Sequence, residues 1–237
     1  MECKYTGIIL GKYDVGETDR IYVIYTLEQG KIRALAKGVR KMHAKLSGSL
    51  ESFNLVDILI ARNRGMGKIK SAIVERNFSV IKNNFELLEK VFQVIGIFGR
   101  LMEDEQKDEE AFFLLAQYLK MMNEKNGDDF LRFRIITQGF LHQLFSLLGY
   151  QLEISGCAVC REKIKAGGNF FSMSCGGVVC HKCGNDVVEK MRVTDNTIKA
   201  MRIFSSNNLK SLLKLKIKKE EITELERVSD LFYRWIV

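Results

Sequence analysis

Apolar and polar residues alternate, with lapses, through five short runs between Tyr5 and Phe78: YTGIILGKY, RIYVIYTLE, KIRALAKG, LVDILIARN and KIKSAIVERNF. Each run is rich in Ile, Val or Tyr, and a period near two predicts strands that turn one face to a core. Gln29-Gly30 joins the second run to the third, and Gly65-Met66-Gly67 joins the fourth to the fifth. A helix-like insert from Lys41 to Phe53 separates the third from the fourth. Five strands with an insert at that point match the strand count and order of an OB barrel. An SH3-like barrel is the competing architecture, and periodicity alone does not separate the two.

Beyond Phe78 the apolar spacing changes to threes and fours, through Phe85, Leu88, Val91, Phe92, Ile95 and Phe98, which predicts an amphipathic helix. A second helix fits Glu109 to Met122, and a third runs from the acids Asp128-Asp129 to Gly149, a C-terminal stop. The three are expected to pack on one another. Glycines and cysteines break the pattern over 151–188, after which helices resume at Thr194 and from about Lys219 to Trp235. The expected organisation is therefore α+β and multidomain. An OB-fold β-barrel occupies residues 1–80, and an all-α helical domain occupies 81–237, interrupted at 151–188 by a four-cysteine module.

That module carries the sharpest chemical signal. Cys157-Ala-Val-Cys160 and Cys180-His-Lys-Cys183 lie nineteen residues apart. Each pair can present two thiolates to one tetrahedral Zn²⁺ from a tight turn while the intervening segment folds back as a hairpin. Four thiolates close the coordination sphere, so the expected zinc is structural, one ion supplying folding free energy that a module of this size lacks. Cys175 has no CxxC partner and reads as a half-buried free thiol; His181, inside a CxxC turn, reads as a bystander. Cys3 reads as a small buried side chain.

Charge adds a second candidate. The 237 residues carry a net +8, distributed unevenly: residues 81–130 are acidic, with 6 basic and 11 acidic side chains, while 31–70 hold 10 basic and 2 acidic. Such density is what a polyanion-binding face shows. Lys37, Arg40, Lys41 and Lys45 follow the third strand, and Arg62, Arg64, Lys68 and Lys70 flank the turn between the fourth and fifth. In an OB barrel both segments border the face that tracks a nucleic-acid backbone, and Tyr13, Tyr22, Tyr25 and Phe53 are aromatic rings available for stacking, although core packing is the ordinary use of each. Apolar stretches are broken by charge before the roughly 18 residues a spanning helix needs. No signal-peptide pattern is legible in MECKYTGIILGK, so a cytoplasmic protein is expected, with clustered cysteines serving a metal rather than disulfides. Proline is absent.

Taken together, the order and spacing of Gly16-Glu17-Thr18-Asp19-Arg20, of Gly38-Val39-Arg40-Lys41 through Lys45 to Gly48-Ser49-Leu50 and Phe53, and of Gly176-Gly177-Val178-Val179-Cys180-His181-Lys182-Cys183 resemble the RecO family of bacterial recombination mediators over essentially the whole chain. The resemblance implies an N-terminal OB fold, a helical C-terminal domain and a four-cysteine zinc module. It implies binding of single- and double-stranded DNA, annealing of complementary strands and, with RecR, loading of RecA onto DNA coated by single-stranded DNA-binding protein, whose acidic tail is a further partner. It implies DNA contacts at Arg20, Lys37, Arg40, Lys41 and Lys45. Where Ala44-Lys45 stands, family members often have Ser-Arg, so Lys45 keeps the charge without the guanidinium fork.

Two other classes compete. A nuclease or other nucleic-acid-modifying enzyme needs carboxylates or an open metal site at a cleft, but the acids Glu103-Asp104-Glu105 and Asp108-Glu109-Glu110 read as a solvated charge run between helices. His43 reads as part of the basic loop and His142, within FLHQLFSLL, as a packed residue. A zinc-ribbon adaptor that binds only proteins is the remaining alternative. The expected role is non-enzymatic.

Overall fold

The computed structural model describes residues 1–62, 66–124, 130–206 and 208–236. They form two compact units, Met1–Lys125 and Asn126–Val237.

In the first unit, β1 (Glu2–Val15), β2 (Asp19–Thr26), β3 (Gly30–Ala36), β4 (Leu55–Ala61) and β5 (Gly67–Arg76) close into a barrel in the order β1-β2-β3-β5-β4. The long β1 serves two neighbours, pairing with β4 through Glu2–Ile8 and with β2 through Gly7–Val15, and a register shift between Ile9 and Gly11 lets it bend from one to the other. The alternation reaches its purest form in β4, where Val56, Ile58 and Ile60 point inward. With Tyr5, Ile9, Tyr22, Ile24, Ile32, Ala34, Ala36 and Ile69 they fill the barrel.

Residues 41–53 are a succession of turns rather than the expected helix-like insert. Lys41, Ala44 and Ser47 each donate their N–H to the carbonyl three residues earlier. Ser47, Gly48 and Ser49 favour such local bonds over a helix, and the segment is anchored instead by Val39 and Leu50, which join the barrel core.

Three helices complete the unit: α1 (Ser79–Asn83), α2 (Phe85–Leu101) and α3 (Glu109–Met122). Asn84 caps α2 by accepting from Leu87 N, and Asp108 caps α3 by accepting from Ala111 N. Tyr25 on β2 is fully buried by Phe98 of α2, edge-on at 4.7 Å, and by Phe112 of α3 at 6.4 Å. Phe53, held at φ 69°, inserts its buried ring against Phe92 at 4.6 Å.

The second unit contains α4 (Phe130–Leu147), β6 (Phe170–Ser172), β7 (Gly177–Val179), α5 (His181–Gly184), β8 (Met191–Arg192), α6 (Asp195–Ser206), α7 (Leu209–Leu212) and α8 (Lys219–Ile236). α4 packs on α6, α7 and α8, so it belongs to a different bundle from the two helices before it, contrary to the expectation that all three associate. The Asp128-Asp129 start expected for this helix lies outside the described residues. Arg134 of α4 grips Glu226 of α8 with two parallel bonds of 2.8 and 2.7 Å and donates another to Thr223. No helix among the described residues is long and apolar enough to cross a membrane.

Candidate metal centre and nucleic-acid interface

The cysteine module lies between α4 and α6. β6 pairs with β7 on one side and β8 on the other, a hairpin whose strands run up to the second CxxC. Glu153 shapes the approach to the first. Its carboxylate accepts from Ser155 N and Gly156 N, bonds that hold it below the ordinary carboxylate range, and its own carbonyl accepts from Val178 N of β7 at 2.8 Å. Cys157 N then bonds Glu162 O, and Arg161 N returns to Cys157 O with Arg161 at φ 64°, closing a tight turn around Cys157 and Cys160. Ala158 N donates to Val178 O and ties this turn to the hairpin. Cys180 opens α5, whose first turn brings Cys183 round to the same side; Gly184 ends it against the Phe170 ring, where an added Cβ would lie 2.3 Å from a ring carbon.

The four sulfurs converge to within 4.8 Å of one another, with Cys160 Sγ and Cys180 Sγ 4.0 Å apart. A tetrahedral site with metal–sulfur bonds of about 2.3 Å has sulfur–sulfur edges of about 3.8 Å. The donor set therefore fits one thiophilic cation held by four protein ligands. Cys157 is fully buried and Cys160 exposed. Burial alone would raise the Cys157 thiol, but the N–H groups of Cys180, Cys160 and Val159 overcome it and bring the thiol down to about 6. Cys183 goes the other way, pushed up to about 12 chiefly by its bond to Cys180. Four thiols this close titrate as a set, and each negative charge on the cluster opposes the next. Neither Cys175 nor His181 joins the group; the exposed His181 ring instead packs over Gly168.

On the barrel, the basic residues separate into two groups. Arg20 on β2 and Arg40 after β3 share one carboxylate: Arg20 Nε lies 2.6 Å from Asp14 Oδ1, and Arg40 Nη1 lies 3.4 Å from Asp14 Oδ2. The Arg20 hydrogen bond draws the Asp14 carboxyl below its ordinary value. Asp19 accepts from Gly38 N at 2.7 Å, which pins the residues after β3 to the β1–β2 turn and draws Asp19 down as well, with Lys37 and Lys41 contributing from nearby. Arg20, Lys37, Arg40 and Lys41 are thereby gathered around one turn, the last three exposed. Lys12, which the sequence reading missed, adds a cation here. Burial and the neighbouring Arg20 lower its pKa. Its place depends on the β1–β2 register, in which Asp14 faces Arg20 and Lys12 faces Tyr22, and no local spacing reveals that.

Lys45 is exposed, on the turn-rich segment. Arg62 and Lys68 are not part of that cluster. Arg62, one-third exposed, pairs with Glu105 and donates to Gln29 Oε1, while Lys68 is exposed on β5 in register with Leu35. Arg64 lies outside the described residues. Of the four aromatics, Tyr22, Tyr25 and Phe53 are fully buried and belong to packing, leaving Tyr13 exposed. Of the acids read as a solvated run, all but Asp108 are exposed, and several have partners: Asp104 pairs with Lys31 and Arg33, Glu105 with Arg62, and Asp108 caps α3.

Comparison with known proteins agrees with this architecture. The family model described as "Recombination protein O N terminal" matches residues 1–78, and that described as "Recombination protein O C terminal" matches residues 97–237. A DNA repair protein RecO from Dehalococcoides mccartyi is 30% identical over 94% of this chain and 86% of its own length. Similar proteins of the same name occur in Listeria monocytogenes, 28% identical over 97% of this chain and 88% of the relative, and in Bacillus subtilis, 26% identical over 98% and 89%. With family matches on both compact units and a relative aligned along nearly the whole chain, the protein belongs to the RecO family of DNA repair proteins.

Proposed function

We propose that this chain is a non-enzymatic mediator that binds single- and double-stranded DNA through its barrel, anneals complementary strands and acts with RecR to load RecA onto DNA coated by single-stranded DNA-binding protein. The barrel is read as an OB fold, a reading supported by the closed order β1-β2-β3-β5-β4. Its DNA-binding surface lies within residues 1–80, and residues 81–237 supply the helical part with the module at 151–188.

The observation that carries this reading is the gathering of Arg20, Lys37, Arg40 and Lys41 around the β1–β2 turn. Asp14 draws both guanidinium groups to the same turn as Lys37 and Lys41, so four cations share one patch with a single carboxylate and present a concentrated positive surface to phosphate oxygens. Phosphates carry no sequence information, and a site built from such contacts binds strands indifferently to sequence, with affinity that falls steeply as salt rises. Lys45 and Lys68 are proposed as further DNA contacts on the barrel, with Arg62 on its far side; Arg64, proposed with them, lies outside the described residues. Annealing makes and breaks no covalent bond, so binding energy suffices for it. The four cysteines are proposed to hold one structural Zn²⁺, which fits a sulfur set that leaves no position for substrate. The acidic tail of the single-stranded DNA-binding protein is proposed to meet basic residues of the second unit.

The test is annealing of complementary strands coated with their cognate single-stranded DNA-binding protein, comparing the parent with a Lys37→Ala, Arg40→Ala, Lys41→Ala, Lys45→Ala variant. Annealing by the parent and its loss in a variant that melts like the parent is the expected result. No annealing and no retardation of naked oligonucleotides by the parent overturns the reading in favour of a protein-binding adaptor.

A further inference from the structure

The barrel closes through a short seam. Among the described residues β3 meets β5 in parallel at Ala34 and Leu35 alone, which face Gly67 and Lys68, and no described residue of β5 pairs with Lys31–Arg33 at the start of β3. The segment after α2 comes alongside them: Lys31 and Asp104 form a parallel bridge, and Glu105 N donates to Lys31 O at 2.8 Å. Gly30, at φ 69°, permits this approach, since a Cβ there would lie 1.9 Å from Gln106 O.

Between this segment and the described residues Arg62 and Met66 is an open groove of about 470 Å³, lined also by Lys31, Ile32, Arg33, Asp104 and Glu105. Each of its cations faces a carboxylate. Lys31 Nζ lies 3.1 Å from Asp104 Oδ1, Arg33 Nη2 lies 3.2 Å from Asp104 Oδ2, and Arg62 pairs with Glu105. Lys31 is structural, because its ammonium also donates to the carbonyls of Gly99 and Met102 at the end of α2. Arg33 and Arg62 are different: their side chains are 51% and 33% exposed, and their acidic partners are 46% and 52% exposed. Ion pairs this accessible contribute little stability, and Glu105 makes its pair from a left-handed backbone at φ 60° that a non-glycine residue adopts at a cost. Such pairs exchange readily. A phosphate presents to guanidinium the same two-oxygen face as a carboxylate. Met66, 46% exposed, adds apolar surface suited to an unpaired base, whereas Ile32 lines the groove by its backbone side and keeps its side chain in the barrel core.

We propose that this groove is a second phosphate-binding site, specific for the backbone of a single strand, in which Asp104 and Glu105 occupy Arg33 and Arg62 until nucleic acid displaces them. The proposal rests on the reading of the barrel as a DNA-binding surface. It makes the acidic segment a competitor built into the chain, one that restrains binding by raising the threshold for a strand to enter.

The experiment is equilibrium binding of the full chain to a labelled oligothymidylate across a salt series. An Asp104→Asn, Glu105→Gln variant is compared with the parent and with Glu86→Gln, Glu89→Gln, which removes the same charge from exposed positions on α2. The first variant is expected to bind about tenfold more tightly than the control, as the loss of two competing pairs allows. Its dependence of log affinity on log salt steepens by about 0.7 for each phosphate gained. Adding Arg33→Ala and Arg62→Ala cancels the gain. Glu105→Gln alone, which leaves the Lys31–Asp104 contact intact, gives a smaller gain through Arg62 and guards against loss of folding. Equal affinity of the variant and the charge-matched control, or a gain that survives removal of both arginines, overturns the groove while leaving DNA binding elsewhere on the barrel. A polyglutamate peptide that gains as much as the oligonucleotide overturns it in favour of a protein partner. Failure of every form, parent included, to bind oligonucleotide overturns the DNA-binding reading and the groove with it.

Discussion

His142 occupies a site where a proton is costly. It is buried on α4, edge-on to Phe204 at 6.0 Å, with Nε2 3.5 Å from the Ser229 hydroxyl that donates to Gln138 at 2.6 Å. Burial pushes its imidazole down to about 4. In the unfolded chain the ring titrates near 6.5, so as pH falls below that value the unfolded state takes up a proton that the native state refuses until about 4. Stability contributed by the neutral ring is complete above pH 6.5 and is lost between 6.5 and 4, on the order of 2 kcal/mol by pH 5. Urea melts at pH 7.5 and 5.0 are expected to show that loss in the parent and a smaller one in His142→Gln; equal losses would assign acid sensitivity to carboxylates alone. The sequence made His142 legible as a packed residue because its neighbours in FLHQLFSLL are apolar. It gave no sign of Asp14 or Asp104 as partners of arginines, since those pairs depend on strand register and on a chain reversal after α2.

Among the elements, the cysteine module was the most legible, because CxxC spacing is itself a geometric statement and the four residues it names converge. The supports were not legible: Glu153, which accepts from both residues before the first turn, and Gly184, which gives room to Phe170, lie outside the motif. A thiophilic cation changes the balance in the cluster by stabilising thiolates that otherwise repel, so its binding expels protons, Cys183's among them, and weakens in acid. Removal of zinc by a strong chelator is expected to lower the melting temperature of the second unit, followed by the fluorescence of Trp235 on α8, because α4 and α6 are joined through the module. A melting curve unchanged after the metal is shown to be gone would refute the structural role. Helix α3 was read from the sequence with the bounds Glu109–Met122 that the structure has, where capping acids and apolar spacing agree. Segment 41–53 departs from the helical expectation because its apolar residues serve the barrel core rather than a helix face.

For the whole molecule, the division after Lys125 means that the barrel shares its packing with α2 and α3. Cutting the chain at residue 80 would strip Phe98 and Phe112 from Tyr25 and Phe92 from Phe53. A fragment of residues 1–125 is expected to melt cooperatively and to retain oligonucleotide binding, whereas residues 1–80 should be aggregation-prone; a soluble, cooperatively folding 1–80 would show that the helices are dispensable. The change from alternating to helical spacing marks where strands stop, which is a different matter from where a core ends. The seam between β3 and β5, two residues long among the described residues, bears on the order of events during folding. Its partners are separated by more than thirty residues, whereas β1–β2 and β2–β3 are hairpins that can zip locally, so the ring is completed late and at a place where few bonds repay the entropy of closure. The acidic segment laid along β3 is then a latch on the last joint to form, and the same joint is where the barrel opens at least expense.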